Sequence, residues 1–529
     1  MNVKKYLAVP LVVFATNVVA LGRPNLQEVT VASGIEQQYT GGWEFFVGGG
    51  VSAFDCNHDF KPELFIAGGE SQSGLFINHT EITGVPKFEP SDQLRFDRVT
   101  GSYVLDLDSD GELDVIVMRN GENQIMKGQG NCQFESANTL FNIKGGESWT
   151  TAFAAQWEGN NKLPTLVFGN YIDQTQPGAP FGTCADHELY RPLVNDIRYS
   201  EPVKLLGYCS LSMLFTDWNR NGVADLRSAN DRQYYRDGHE QLWDFSSTIL
   251  PSEYDESDGW SKQKLWGMGI AAQDINTDGL PDYYVTSMAD NKLSSLLPRA
   301  RGPEFEDLAY SMGITAHRPF IGDSVMPSTA WHAQFEDINN DTYFDLLVVK
   351  GNVEAMTDFA LEDPNNLFLG TAQGPFVESA EVSNFVSLHR GRGGSLVDLN
   401  MDGLLDAVVV NRMENVQIWR NNGVSQTKSP APMGNWLNVL LKQPKPNQHA
   451  IGAFVELRIA DRTLTKEITV GGGHAGNTVS FHHFGMGVAE RAQVRVQWPD
   501  GSWSDWIRVF ANQFVQLEKG TSTAQVWIP

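Results

Sequence analysis

Short apolar runs without helical spacing organise this chain. Leu64-Phe65-Ile66, Val115-Ile116-Val117, Tyr283-Tyr284-Val285, Leu346-Leu347-Val348-Val349 and Ala407-Val408-Val409-Val410 are β-branched, aromatic or aliphatic throughout, as strands buried on both faces are. Each follows one polar pattern, a nine-residue loop with Asp or Asn at positions 1, 3 and 5 and a carboxylate at position 9. The copies are Asp55-Asn57-Asp59-Glu63, Asp106-Asp108-Asp110-Asp114, Asp217-Asn219-Asn221-Asp225, Asp274-Asn276-Asp278-Asp282, Asp337-Asn339-Asp341-Asp345 and Asp398-Asn400-Asp402-Asp406. Four of the six carry Gly at position 6, which permits a left-handed residue where the loop closes. The pattern predicts β-hairpins, each with an acidic turn.

The loops begin at residues 55, 106, 217, 274, 337 and 398, so successive starts are 51, 111, 57, 63 and 61 residues apart. The doubled gap predicts a further repeat near residue 157. Trp157-Glu158-Gly159-Asn160-Asn161-Lys162-Leu163-Pro164-Thr165 lies there, followed by the strand-like Leu166-Val167-Phe168, with most ligand positions lost. A period of this length accommodates four strands per unit, the arithmetic of a propeller blade. Seven units over residues 26–425 therefore predict an all-β fold, a seven-bladed β-propeller with calcium-binding hairpin loops. Glu28-Val29-Thr30-Val31-Ala32 is a candidate strand for closing the ring on the last blade. Residues 426–434 have the Ser/Pro composition of a linker, and residues 435–529, with alternating runs such as Val455-Glu456-Leu457-Arg458-Ile459, predict a small C-terminal antiparallel β domain.

The loops point to calcium because a hard cation wants several oxygen ligands at once, and alternate residues of a tight turn aim short oxygen-bearing side chains at one point. An EF-hand is excluded: no bidentate Glu follows at position 12, where the second copy has Val117. Five to six Ca²⁺ sites are expected, none of them in the eroded third repeat.

These loops resemble the FG-GAP/VCBS repeats of integrin-type propellers. Beyond them, Asn435-Trp436-Leu437-Asn438-Val439, Ala450-Ile451-Gly452-Ala453, Gly471-Gly472-Gly473, His483-Phe484-Gly485-Met486-Gly487 and Val496-Gln497-Trp498-Pro499-Asp500-Gly501 are similar to the ASPIC/UnbV domain. Together the two resemblances identify the chain with the cartilage-acidic-protein-like family and imply its architecture. They imply no single chemistry. One departure is His474-Ala475-Gly476-Asn477, where the family pattern places a bulky aromatic and a polar pair.

Composition adds a compartment. Lys4 and Lys5 precede an apolar stretch from Tyr6 that ends Val18-Val19-Ala20, a signal peptide over residues 1–20 that predicts a secreted or periplasmic protein. Pro10, Thr16 and Asn17 interrupt that stretch, and no later segment is apolar enough to span a bilayer. The four cysteines permit two disulfides. Cys184 and Cys209 bracket a Pro/Gly-rich insertion over 171–212 and form the favoured pair, while Cys56 and Cys132 read equally well as free buried thiols. The formal charge of −25 is largely accounted for by eighteen carboxylates at the ligand positions, half offset by six Ca²⁺. No basic stripe suits nucleic acid.

The sequence contains no G-x-S-x-G, H-E-x-x-H or P-loop motif. The expected function is binding of a protein or glycan, with calcium structural. The alternative is a calcium-dependent polysaccharide lyase or hydrolase at the channel mouth beside the insertion, which requires His187, Arg191, Tyr235 and His239 to converge in one pocket. His474, His482 and His483 are weak candidates for a transition-metal site.

Overall fold

The computed structural model describes residues 22–177, 182–232, 236–424 and 433–529. The predicted signal peptide, most of the linker and Tyr235 lie outside the described residues. The described chain is all-β, with two four-residue helices, Thr30–Ser33 and Asn138–Phe141, and one short 3₁₀ turn.

Seven consecutive sheets span residues 51–90, 99–136, 150–205, 210–253, 270–307, 330–378 and 391–424, each built from antiparallel neighbours in chain order. The second strands, including Asp114–Arg119, Asp345–Lys350 and Asp406–Asn411, are buried almost end to end, which is why their sequences read as continuous apolar runs rather than alternating ones. The first strand of each sheet lies beside the first strands of its neighbours. Gly391–Val397 of the seventh sheet returns to Val51–Phe54 of the first, closing the circuit.

The seventh sheet takes its fourth strand from the chain start: Pro24–Glu28 pairs antiparallel with Gln417–Val424. Closure therefore uses residues just before the run predicted for it. Thr30–Ser33 turns instead into a helical turn that Gly34 ends in a left-handed conformation, with Val29 donating its N–H to the Ile418 carbonyl. The third sheet also differs from expectation. Only residues 171–186 are inserted, as a small hairpin of Ile172–Asp173 and Thr183–Cys184, whereas His187–Tyr190 and Val203–Leu205 are the sheet's own outer strands. Their shortness and the charged Glu188 and Lys204, which pair with each other, hid them.

Both cysteine pairs are disulfides, Cys56–Cys132 and Cys184–Cys209. The first ties the loop of the first sheet to the third and fourth strands of the second, so the free-thiol reading of these residues is corrected. No described helix is long and apolar enough to cross a membrane.

Residues 435–527 form two four-stranded sheets around a core of Leu437, Val439, Val455, Leu457, Val494 and Val496. The domain is not purely antiparallel, since Asn435–Lys442 pairs parallel with Gln513–Glu518. Between these strands the chain visits the second sheet twice, returning once to the first as His482–Gly487, antiparallel to Asn435–Lys442.

Candidate metal loops and the plugged channel

Every acidic loop joins the first strand of its sheet to the second, and the repeat spacing has a direct structural cause. The carboxylate at position 1 accepts the N–H groups of positions 5 and 6: Asp106 from Asp110 and Gly111 at 3.0 and 3.1 Å, Asp274 from Asp278 and Gly279 at 3.1 and 3.0 Å, and Asp398 from Asp402 and Gly403 at 3.1 and 2.8 Å. Position 3 accepts from position 5 and position 5 from position 7, as in Asn276 to Asp278 (2.8 Å) and Asp278 to Leu280 (2.9 Å). The closing carboxylate accepts from position 2 and from the end of the third strand, as Asp345 does from Ile338 (2.9 Å) and Gly370 (2.8 Å). Position 6 is left-handed in all six loops, including Phe60 (φ 67°) and Thr342 (φ 78°) where glycine is absent.

These bonds hold like charges together. In the second loop, carboxylate oxygens of Asp106, Asp108 and Asp114 lie within 4.8 Å of one another. Burial, with neighbouring carboxylates adding to it, pushes Asp106 and Asp282 up to about 6, Asp274 and Asp398 up to about 7 and Glu63 up to about 8. Asp114, Asp337, Asp345 and Asp406 are held well above the usual carboxylate range for the same reasons. An all-oxygen, acid-rich donor set kept in place by backbone N–H groups is what a hard cation requires, and these residues fit one.

The loops are not equal. Lys127 reaches the second, with its ammonium 2.7 Å from Asp108 Oδ2 and also bonded to Asp110. In the loop of the fourth sheet, Asp225 accepts from three donors, two of them side chains: the Trp218 indole (2.8 Å) and Tyr254 hydroxyl (3.0 Å) on one oxygen and the Phe245 N–H (2.9 Å) on the other, whereas the closing carboxylates of the second, fifth and sixth acidic loops accept two backbone N–H groups. With Asn219 and Asn221 as its middle ligands, that loop has the weakest claim to a cation. The third-sheet loop has Trp157 at position 1 and Thr165 at position 9, and the Thr165 hydroxyl is buried without a partner.

The larger surprise is at the centre of the circuit. Residues 470–478 leave the C-terminal domain and enter the space between the seven first strands, bonding to each of them in turn. Ala53 donates to the Asn477 carbonyl (3.1 Å), Ser102 to the Ala475 carbonyl (3.0 Å) and Ala155 to the Val470 carbonyl (3.1 Å). Gly472 and Gly473 donate to the carbonyls of Met213 (2.6 Å) and Ile270 (2.7 Å). The His474 N–H reaches His332 Nδ1 at 3.1 Å, and the Thr478 and Ser395 hydroxyls pair at 2.8 Å. At the tip, His474 accepts from the Gly48 N–H on Nε2 (3.2 Å) and donates from Nδ1 to the Met268 carbonyl (3.1 Å). Both its ring nitrogens are therefore committed, as are those of His483, to Asn438 (2.9 Å) and Asn340 (2.6 Å). The transition-metal reading of these histidines is not supported, and none of them stands among the metal-competent clusters of the described residues.

Backbone approaches backbone so closely here that side chains are excluded. A Cβ on Gly50 would stand 1.7 Å from the Ala475 carbonyl oxygen, and one on Gly101 would stand 2.1 Å from it. The runs Gly48-Gly49-Gly50 and Gly471-Gly472-Gly473 were the available sequence signal: Gly50 lies against the Ala475 backbone, and Gly471 and Gly472 lie against the Met213 and Ile270 carbonyls of the fourth and fifth sheets.

The C-terminal domain sits on the face that carries the acidic loops. Position 4 of three loops makes the contact. Ser109 accepts the Asn447 N–H (2.9 Å), Arg220 pairs with Glu456 (3.0 Å), and Asn340 accepts the Gly487 N–H on its carbonyl (2.8 Å). Glu467 of the domain accepts the Asp217 N–H at 2.7 Å.

Of the residues named for the catalytic alternative, Tyr235 lies outside the described residues and the other three are each held by contacts within the fold. His187 is fully buried, accepts the Asn170 N–H (3.2 Å) and is pushed down to about 3 by burial. Arg191 pairs with Glu158 (3.0 Å) and caps the carbonyls of Ser247, Thr248 and Ile249, while His239 pairs with Glu253 (2.6 Å) in the fourth sheet.

Residues 443–524 match the family model described as ASPIC and UnbV, so the C-terminal domain is an ASPIC/UnbV domain. No curated protein matches the chain. Among solved structures, the chain is similar to BBS1N in complex with ARL6DN (8% identity, TM-score 0.40, covering 75% of this chain and 95% of that one). It is also similar to an Agrocybe aegerita lectin solved for its recognition of non-reducing terminal N-acetylglucosamine (13% identity, TM-score 0.38, covering 73% and 94%).

Proposed function

We propose that this is an exported, calcium-stabilised binding protein of the cartilage-acidic-protein-like kind, a seven-bladed FG-GAP/VCBS-type propeller whose ASPIC/UnbV domain is docked on its calcium-loop face. Calcium is structural in this reading. The observation that carries it is the common geometry of the six loops, in which backbone N–H groups gather buried carboxylates that repel one another in the absence of a cation. When bound, the ion supplies charge neutralisation and oxygen coordination. The chain's own residues orient the ligands and carry the domain contacts at position 4. Export is supported by the N-terminal sequence and by two disulfides, which persist in oxidising compartments.

The partner is a protein or glycan, engaged on outer surfaces, because the chain's own segment 470–478 fills the centre where a channel ligand would sit. Native mass spectrometry of the mature protein, with and without chelator, tests the calcium part. Five or six chelator-sensitive Ca²⁺ per chain support it and none refutes it. A glycan array and an extracellular-protein array, both probed with the calcium-loaded protein, test the binding part. It fails if both are silent.

A further inference from the structure

A cavity of about 350 Å³ lies between the loops of the first two sheets and the ASPIC/UnbV domain, within the range of small-molecule sites, roughly 300–1,000 Å³. Its walls combine the aromatic side chains of Phe60, Phe481 and Trp157 with the imidazoles of His449 and His482 and the amide of Gln516. Phe60 and Phe481 stand 5.8 Å apart, ring centre to ring centre.

The cavity gathers several polar side chains that have no partner within the described chain. The Trp157 indole N–H is buried without an acceptor, although buried indoles ordinarily find one. Among the described residues, neither imidazole nor the Gln516 amide bonds to any other group of the chain, in contrast to His474 and His483, whose ring nitrogens are all engaged. Burial pushes His449 down to about 4 and His482 down to about 3, so both rings are neutral at physiological pH and each offers one donor and one acceptor. Asp55 and Asp106 border the same space, as do His58 and Lys442, so no single sign of charge dominates it.

We propose that this cavity is a binding site for a neutral, hydroxyl-rich ring, a single sugar residue of a glycan, whose apolar face packs on the aromatic walls and whose hydroxyls bond the imidazole and amide groups. The site deepens the binding reading given above and rests on it for an external glycan ligand, but not on the occupancy of the calcium loops. It spans propeller and domain, so a bound sugar bridges the two.

The test is NMR of the intact mature protein in calcium, following the ring resonances of His449 and His482 during titration with methyl glycosides of glucose, galactose, mannose and N-acetylglucosamine. Glucose 6-phosphate serves as the charged counterpart. Saturable shifts of both rings with at least one neutral glycoside, and weaker shifts with the phosphate, are expected. His449→Phe and His482→Phe should each weaken that glycoside by about tenfold, the factor equivalent to one ordinary hydrogen bond, with an unchanged melting temperature. If no neutral glycoside moves either ring in the wild-type protein, the proposal is overturned whether or not the variants fold. Glycan-array binding that survives both substitutions also overturns it while leaving the broader binding reading intact. Repeating the titration in chelator separates this site from the calcium loops.

Discussion

The second and third sheets carry the same strand pair around different loops. Val99–Leu105 pairs with Asp114–Arg119, and Thr150–Gln156 with Thr165–Asn170, each pair interrupted by one register shift near the start of its first strand. Each loop buries one leucine completely, Leu107 in the second and Leu163 in the third. The second loop carries four carboxylates, three of them with oxygens within 4.8 Å of one another, and brings Lys127 to Asp108 and Asp110. The third has an indole and a threonine in the corresponding places. Since the strands are equally regular in both, burial of the apolar runs makes the sheet, and the loop chemistry is a separable layer laid over it. The third repeat thus serves as an internal control for what the acidic loops add.

Removing calcium should have the largest effect on this contrast. Binding to the folded state at a hundredfold excess over Kd adds ~2.7 kcal/mol per site. Five or six sites together therefore rival the ~5–15 kcal/mol of a whole domain. Chelator should lower the melting temperature by tens of degrees in differential scanning calorimetry, and a shift of only a degree or two would separate the loops from stability altogether.

Next comes the glycine contact shared by propeller and domain. Gly50→Val places a branched side chain against the Ala475 carbonyl and should cost about 3 kcal/mol or more, read as a lowered denaturation midpoint together with faster amide exchange over residues 470–478. Normal protection of that segment in the variant would mean that the plug is not seated as described. Single-loop substitutions sharpen the comparison directly. Asp106→Asn in the second loop should remove most of one site's contribution, ~2–3 kcal/mol of the difference between calcium and chelator melts. Asn161→Ala in the third loop should stay within about 0.5 kcal/mol and leave that difference unchanged.

A separate effect, independent of the loop comparison, is a pH slope. Glu240 is buried in the fourth sheet, accepts the Asn230 N–H at 3.1 Å, and is pushed up to about 8 by burial. A carboxyl whose folded pKa is raised binds its proton more tightly when folded. Its contribution is complete below the unfolded value near 4 and is lost as pH rises through about 8. Calcium-loaded protein should therefore lose stability between pH 5 and pH 9 by up to about 1.4 kcal/mol per unit from this group, and Glu240→Gln should flatten the curve. An identical slope in that variant would assign the pH dependence elsewhere.

Much of this was legible in the sequence because it is local. Runs such as Val115-Ile116-Val117 announce doubly buried strands, and the Asp-x-Asn-x-Asp spacing maps onto hydrogen bonds that never reach more than a few residues. The eroded repeat at 157–165 was recoverable from arithmetic alone. What escaped depends on partners far apart in the chain. The polar outer strands His187–Tyr190 and Val203–Leu205 resemble loop until Phe168 and its neighbours are placed beside them. Nothing local in Cys132 tells that Cys56 is within bonding reach, and the glycines at 48–50 and 471–473 acquire meaning only once the central segment is placed among the first strands. His449 drew no notice and His482 was read only as a weak metal candidate, since a ring without a partner is a property of its surroundings.

The most direct test of the calcium account is anomalous diffraction from crystals grown in calcium. The account predicts anomalous peaks at loops among the six acidic copies, weakest or missing at Asp217–Asp225, and none at residues 157–165. Acidic loops without peaks, or a peak in the third repeat, would contradict it.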